Sequence, residues 1–250
     1  MIKADIQFVR SLADKRTRDK ERLFVAEGVK LVEEIRSSKL NIRRIYTTRR
    51  DLKGANVELI EEREMERISQ LKSASDTLAV VEQPRYSFSL EALTGSLAIA
   101  LDGVQNPGNM GTIIRLADWF GIEDIVCSAE CADEYNPKVV QATMGALLRV
   151  RVHYVDNLAE VLAEASRRNI PIYGTLLDGN DIYTERLTSN GIIVMGNEGR
   201  GLSDECRATL THRLLIPPYP ADRPTSESLN VAMATGIVLA EFRRQQHISK

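Results

Sequence analysis

From Leu97 onward, short apolar runs alternate with longer stretches of helical period, and this alternation leaves few folds open. Residues 97–101, 125–127, 150–155, 171–177, 192–195 and 214–216 read as strands, being rich in Ile, Val and Leu and too short for helices. Ile113, Leu116, Ala117 and Phe120 recur at i, i+3, i+4 and i+7, one face of a helix that begins near Gly111 and stops at Gly121. Asn136 and Pro137 supply an N-cap and an N1 proline for a helix through Leu148. Further helices fall at 157–168, 203–210 and 229–244. Strands joined by helical crossovers make an α/β fold: a doubly wound, mainly parallel sheet covered on both faces.

The preceding residues form a smaller α/β pattern. Strands are read at 23–25, 42–47, 57–60 and 78–81, with helices at 27–35 and through the charged run ending at Leu71. Residues 83–96 (QPRYSFSLEALTGS) hold Pro, Gly and several Ser between two apolar runs and read as a linker. The expected organisation is a domain over 1–82, a linker over 83–96 and a larger domain over 97–250. With 43% hydrophobic and 27% charged residues, 250 residues suffice for two ordinary cores.

A net charge of −2 hides an asymmetry. Residues 1–50 hold 14 Lys/Arg against 7 Asp/Glu, so the remainder is acidic. The cluster Lys15, Arg16, Arg18, Lys20, Arg22, followed by Arg43, Arg44, Arg49 and Arg50, suits a polyanion such as RNA. A solvated helix face with interspersed Asp14, Asp19 and Glu21 reads equally well. Cys127, Cys131 and Cys206 make no disulfide framework, and His153, His212 and His247 form no ligand cluster, so no metal is expected. No apolar run reaches the roughly 18 residues of a membrane span, and MIKADIQFVR lacks a signal-peptide core. A reduced, cytoplasmic protein is expected.

Three segments stand where strands end, the place at which open α/β sheets bind ligands. LDGVQNPGNMGTIIR (101–115) runs from a strand through a loop into a helix; its backbone N–H groups could cradle phosphate, with Arg115 one turn inside. The plain alternative is a tight turn with a solvated arginine. MGNEGRGL (195–202) places Glu198 among glycines in the spacing G-x-x-G-x-G, which is not the dinucleotide fingerprint, so a nicotinamide enzyme is disfavoured. A structural loop with a surface Glu is its alternative. In 214–236 a proline-rich loop leads through Ser228, Leu229 and Asn230 into a helix of small and apolar residues. Ser228 is a good N-cap, and capping alone would explain it.

In that order and at similar separations, NPGNMGTIIRLA, MGNEGRGLS and IPP…SLNVAMATG resemble the three motifs of the SpoU (TrmH) family of RNA ribose methyltransferases, within the SPOUT superfamily. The resemblance covers about residues 97–245. Residues 1–80 more weakly resemble the family's RNA-binding domain related to ribosomal protein L30e, in FVAEGVKLVEE and IRRIYTT. The resemblance implies a deep trefoil knot in the larger domain, although general chain-topology rules argue against knots. It implies S-adenosylmethionine as cofactor, held by Leu176, Gly196, Asn197, Ile216, Ser228 and Leu229. It implies a polar active-site set of Asn109, Arg115, Glu198, Ser228 and Asn230, and a homodimer formed through the knotted domain. The implied reaction is methylation of a ribose 2′-hydroxyl. The appended first domain favours ribosomal RNA over tRNA. A non-catalytic RNA-binding or ribosome-assembly factor is the rival class, and the intact polar set argues against it.

The chemistry needs alignment of oxygen, carbon and sulfur more than acid–base power. The family arginine matching Arg115 is held to be a base; a guanidinium, with a pKa above about 12, is a poor one. A phosphate clamp that also stabilises an emerging alkoxide suits its chemistry better. The chain departs from the family in a longer, proline-rich loop over 217–227 and in Trp119 and Phe120, which stand where small residues are common.

Overall fold

The structure is a computed structural model and describes residues 3–220, 226 and 228–248. Residues 221–225 and 227 of the proline-rich loop, at which a departure from the family is expected, lie outside them. The chain divides into two compact units, Met1–Arg85 with Asp133–Leu148, and Tyr86–Ala132 with Arg149–Lys250. Packing thus assigns to the first unit a segment that lies, in sequence, within the larger domain.

The first unit opens with α1 (Lys3–Ser11) and α2 (Lys15–Glu21), which sequence reading leaves unassigned. Ile6, Val9 and Leu12 form the buried stripe there. Then follow β1 (Leu23–Glu27), α3 (Val29–Ser37), β2 (Ile42–Thr47), β3 (Val57–Leu59), α4 (Glu62–Ile68) and β4 (Thr77–Glu82). The sheet order is β1-β4-β2-β3, with β4 antiparallel to both neighbours and β3 parallel to β2. Ile6 and Val9 of α1 and Met65 and Ile68 of α4 pack with Leu23, Val25, Leu78 and Val80 of the sheet. The segment Asp133–Leu148 belongs to this unit too, and Tyr135 sets its ring 4.8 Å from that of Phe24, which alternates to the other face of β1.

The basic cluster is divided by this packing. Arg18 turns inward, 2% exposed, donates to the carbonyls of Leu12 (2.8 Å) and Ala13 (2.7 Å), and pairs with Asp133. Lys15 pairs with Asp19, Arg44 with Glu58 and Arg49 with Asp51. Arg16, Arg22 and Arg50 remain exposed, with no carboxylate partner among the described residues.

The second unit carries β5 (Leu97–Asp102), α5 (Pro107–Trp119) and β6 (Asp124–Ser128). After α6 (Pro137–Thr143), which belongs to the first unit, come β7 (Arg151–Val155), α7 (Leu158–Arg167), β8 (Ile172–Asp181), β9 (Gly191–Gly196), α8 (Asp204–Arg207), β10 (His212–Leu215) and α9 (Val231–Ile248). The sheet order is β10-β8-β9-β5-β6-β7, and every pairing in it is parallel. Alternation along the strands divides the side chains between two faces. Ala98, Ala100, Ile192 and Val194 pack with Leu158, Leu162 and Ala165 of α7 and Cys206 of α8. Ile99, Leu101, Ile193 and Met195 point the other way. There α5 and α9 run against each other, the Leu116 side chain reaching within 3.6 Å of where a β-carbon would stand on Gly236. The doubly wound parallel expectation is met. Cys127, Cys131 and Cys206 are buried free thiols.

Several helix ends differ from the expectation, α8 among them at 204–207 instead of 203–210, and three have a clear local cause. Helix α5 begins at Pro107, four residues before Gly111, because Asn106 accepts the N–H groups of Gly108 (2.8 Å) and Asn109 (3.2 Å). Asn106 and Pro107 repeat the cap-and-proline signature read at 136 and 137. Helix α6 stops at Thr143, where Met144 takes a left-handed backbone (φ 49°), instead of continuing to Leu148. Helix α9 begins at Val231 because Asn230, not Ser228, caps it through the amides of Ala232 (3.0 Å) and Met233 (3.2 Å).

Arg18 offers a test of the first unit. Removing one partner of a buried ion pair strands the other charge, a loss of about 3–5 kcal/mol. Arg18→Met should lower the unfolding free energy by that amount, seen as a lower denaturant midpoint at unchanged slope, whereas Arg16→Met should leave the free energy within about 0.5 kcal/mol of wild type. Equal effects of the two in urea titrations would place Arg18 at the surface.

Candidate active site

Three loops leave the same edge of the parallel sheet. Strands β5 and β9 pair from Leu97↔Gly191 to Asp102↔Gly196, so the loops after Asp102 and Gly196 start side by side. The Asp102 carboxylate accepts the N–H (2.7 Å) and the hydroxyl (2.8 Å) of Ser203, fixing the far end of the glycine-rich loop. Gly196 has to be a glycine: a β-carbon there would lie 2.3 Å from the Gly201 carbonyl carbon and 2.5 Å from the Leu202 nitrogen. The loop folds back on itself at that point. Asn197 and Gly201 exchange backbone hydrogen bonds of 2.9 Å in both directions. The Asn197 side chain closes the turn, accepting the N–H groups of Gly199 (3.0 Å) and Arg200 (3.1 Å) and donating to the Gly103 carbonyl (2.6 Å).

From this turn Glu198 reaches across to the first loop. Its carboxylate accepts the backbone N–H groups of Gln105 (3.3 Å) and Asn106 (3.1 Å) and the Asn109 side-chain amide (2.9 Å). Asn109 in turn accepts an amide N–H from Asn230 (3.0 Å). The direction of this relay is set at its ends. The Asn230 oxygen is taken by the first amides of α9, so its nitrogen must face Asn109. The Asn109 oxygen is then occupied, and its nitrogen is left to donate to the one group that only accepts, the Glu198 carboxylate. Burial pushes the Glu198 carboxyl up, but donation from Asn109 and from the amides of Glu198, Asn106 and Gln105 outweighs it and holds the group below its ordinary 4.5.

This arrangement revises one expectation. The amides of Gln105, Asn106, Gly108 and Asn109 are committed to Glu198 and Asn106, so the first loop is not an open phosphate cradle. Glu198 itself is the anion at the start of α5.

Beside the relay lies a cavity of about 660 Å³, within the range of small-molecule sites. Leu176, Gly196, Asn197, Ile216, Ser228 and Leu229, the six positions singled out for a cofactor, all line it, as does Glu198. The wall also includes Thr175, Met195 and Ala234. Of the polar set, Asn109, Glu198 and Asn230 are brought into one hydrogen-bonded chain, and Ser228 stands exposed at the cavity. Arg115 is not part of that chain. It is exposed on α5, six residues and about 120° of helix rotation from Asn109, with no partner among the described residues. Sequence reasoning missed Asp102 and Asn106. The second carried a legible signal, a cap before proline; the first did not, because its partner Ser203 comes near only through the sheet.

Two family models cover the chain. One, the SpoU rRNA methylase family, matches residues 96–240; the other, the MRM3-like substrate-binding domain, matches residues 3–84. The chain belongs to the SpoU rRNA methylase family. A 23S rRNA (guanosine(2553)-2′-O)-methyltransferase of Bacillus subtilis is 29% identical to this SpoU chain over 94% of each protein. The chain spans only 54% and 59% of the length of two other curated relatives it matches. Among solved structures, a TrmH-family protein from Porphyromonas gingivalis is 39% identical, with a TM-score of 0.88 over 98% of this chain and 99% of that one. An AdoMet-bound rRNA methyltransferase from Sinorhizobium meliloti is 30% identical, with a TM-score of 0.84 over 97% and 95%.

The Glu198 relay has a pH signature. With its carboxyl held below 4.5, the ordering it gives the two loops is fully present above that value and is lost as pH falls through the lower folded value. Hydrogen exchange at the Gln105 and Asn106 amides should therefore stay slow at pH 4.5 and quicken only below it. In Glu198→Gln at least one of these amides should exchange fast at every pH, since a single carboxamide oxygen cannot accept from all three donors. Slow exchange of both in that variant would remove Glu198 from the relay.

Proposed function

We propose that this chain transfers a methyl group from S-adenosylmethionine to a ribose 2′-hydroxyl of ribosomal RNA, in the cytoplasm. The convergence of the six cofactor positions on one cavity, beside the Asn230–Asn109–Glu198 relay, carries the reading. The donor fits what is there. Leu176, Ile216 and Leu229 offer an apolar wall for a purine, and Gly196 and Asn197 put tightly turned backbone against it. When bound, the donor supplies an electrophilic methyl carried on a sulfonium. The chain has to hold the ribose oxygen in line with it and to exclude competing water. Asn109 and Asn230 fix the loops around that line, and Glu198 locks the glycine-rich turn to α5. Arg115 clamps the target phosphate and stabilises the charge developing on the ribose oxygen, whose proton passes to solvent as loss of the methyl turns the sulfonium into a neutral thioether. Ribosomal RNA is favoured because the relative matched along 94% of both chains is a 23S rRNA methyltransferase and because residues 3–84 match a substrate-binding domain. Arg16, Arg22 and Arg50 of that unit are uncommitted cations for a phosphate backbone.

We also infer that the working form is a homodimer through the second unit. Trp119 at the end of α5 is 82% exposed and Met233 on α9 is 64% exposed. They belong to two helices packed side by side, and Ala240, two turns along α9, is exposed as well. Apolar side chains so placed offer a surface for a partner. Arg115 lies one turn before Trp119 on α5, so a second copy docked here would complete its surroundings.

Methyl transfer to a large-subunit rRNA transcript, read by mass spectrometry of nuclease fragments, should place one 2′-O-methyl group and require S-adenosylmethionine. Arg115→Lys should keep donor affinity by calorimetry yet lose about 10²–10³ in rate, because an ammonium lacks the planar fork. Transfer at wild-type rate by this variant would move the clamp elsewhere. Trp119 is the single tryptophan of the chain and so reports directly on assembly. Its emission should be blue-shifted in the wild type at micromolar concentration, and Trp119→Glu should scatter light as a 28.0 kDa monomer. A monomeric wild type would sink the dimer.

A further inference from the structure

We propose that Arg200 binds a backbone phosphate of the RNA substrate at the mouth of the donor cavity. The proposal rests on the reading of the chain as an RNA methyltransferase. Among the described residues, four charged side chains line the cavity: Asp178, Glu198, Arg200 and Arg207. Three are already engaged. Arg207 donates to Asp178 at 2.5 Å, Asp178 also takes Arg213 at 3.2 Å, and Glu198 is surrounded by the amides of the first loop and Asn109. The Arg200 guanidinium is exposed and has no partner among the described residues. Its backbone, by contrast, is held firmly. The Arg200 N–H is taken by the Asn197 side chain, inside a turn closed by both backbone bonds between Asn197 and Gly201. A long cationic side chain thus stands on a rigid base two residues from Glu198.

The charge balance decides which anion it meets. The methyl donor carries a sulfonium and an ammonium against one carboxylate and is itself cationic. Asp178 neutralises Arg207 in the cavity wall, and a further arginine turned inward would oppose the donor's sulfonium. The RNA faces the opposite problem. The second unit, residues 86–132 and 149–250, holds 13 Lys/Arg against 18 Asp/Glu, so a polyanion approaching this site meets net negative charge unless local cations receive it. Arg115 and Arg200 are exposed, uncommitted arginines on the two segments that Glu198 joins, α5 and the glycine-rich turn. With Arg115 on the target phosphate, Arg200 takes another phosphate along the strand. The guanidinium fork suits two phosphate oxygens at once.

The test compares wild type, Arg200→Ala and Arg200→Lys with a large-subunit rRNA transcript across a salt series, and with S-adenosylhomocysteine by calorimetry. Arg200→Ala should bind the transcript roughly tenfold more weakly at low salt. Its plot of log affinity against log salt should be shallower by roughly 0.7–0.9, the value of one phosphate contact. Arg200→Lys should keep the wild-type slope, and all three should bind S-adenosylhomocysteine equally. An unchanged slope in Arg200→Ala overturns the proposal, and so does weaker S-adenosylhomocysteine binding, which would assign the arginine to the donor's carboxylate. A wild type that binds the homocysteine product but neither binds nor methylates the transcript would overturn the ribosomal RNA reading itself, and Arg200 with it.

Discussion

The parallel pairing of β5 with β9 is the constraint from which the site follows. It joins two strands far apart in sequence over six register pairs and ends with Asp102 beside Gly196. Both loops therefore leave the sheet at one point, and every later contact is a consequence of that proximity. Ser203 can reach Asp102, Asn197 can reach the Gly103 carbonyl, and Glu198 can reach the start of α5. Gly196 shows how close the approach is, since no β-carbon fits between it and the backbone of Gly201 and Leu202.

Hydrogen-bond polarity then gives the site one arrangement instead of several. A side-chain amide can present either end to a neighbour, so a chain of two asparagines is ambiguous by itself. Here the helix amides of α9 claim the oxygen of Asn230, and the carboxylate of Glu198 claims the nitrogen of Asn109. The two ends leave only one consistent orientation between them. The same carboxylate satisfies amides of the loop before α5, which makes it a structural anion at a helix start as well as a neighbour of the cavity. Its acidity is the measurable sign of that double duty.

Charge is apportioned between the units in a way that net charge conceals. The basic first fifty residues are not a uniform RNA face. Arg18 is sequestered with Asp133, and Lys15, Arg44 and Arg49 are paired with neighbouring acids. Among the exposed arginines without a partner in the described residues, and so available to a polyanion, are Arg16, Arg22 and Arg50 in the first unit and Arg115 and Arg200 in the second. In an acidic second unit such residues matter individually.

Much of the fold was legible in the sequence because it rests on local periodicity. The apolar runs and the i, i+3, i+4 spacings report which face of each element is buried, whatever that element packs against. The strands from Leu97 onward, the parallel winding and the helix stop at Gly121, whose φ is +64°, all belong to this class. So do the positions of the glycine-rich turn and of the Ser228, Leu229, Asn230 segment, which motif spacing placed beside strand ends. Helix starts were read less well. Asn106 caps α5 ahead of Gly111 and Asn230 caps α9 in place of Ser228; both bonds are local, and each cap residue is also held from afar, Asn106 by Glu198 and Asn230 by Asn109. What only the tertiary structure decided was partnership: that Arg18 is buried with Asp133, that the amides of the first loop belong to Glu198 and not to a free phosphate, and that Arg115 stands apart from the relay it was grouped with. Those outcomes depend on which groups compete for the same donor or acceptor once distant segments meet. Sequence spacing carries the identity of the competitors but not their distances.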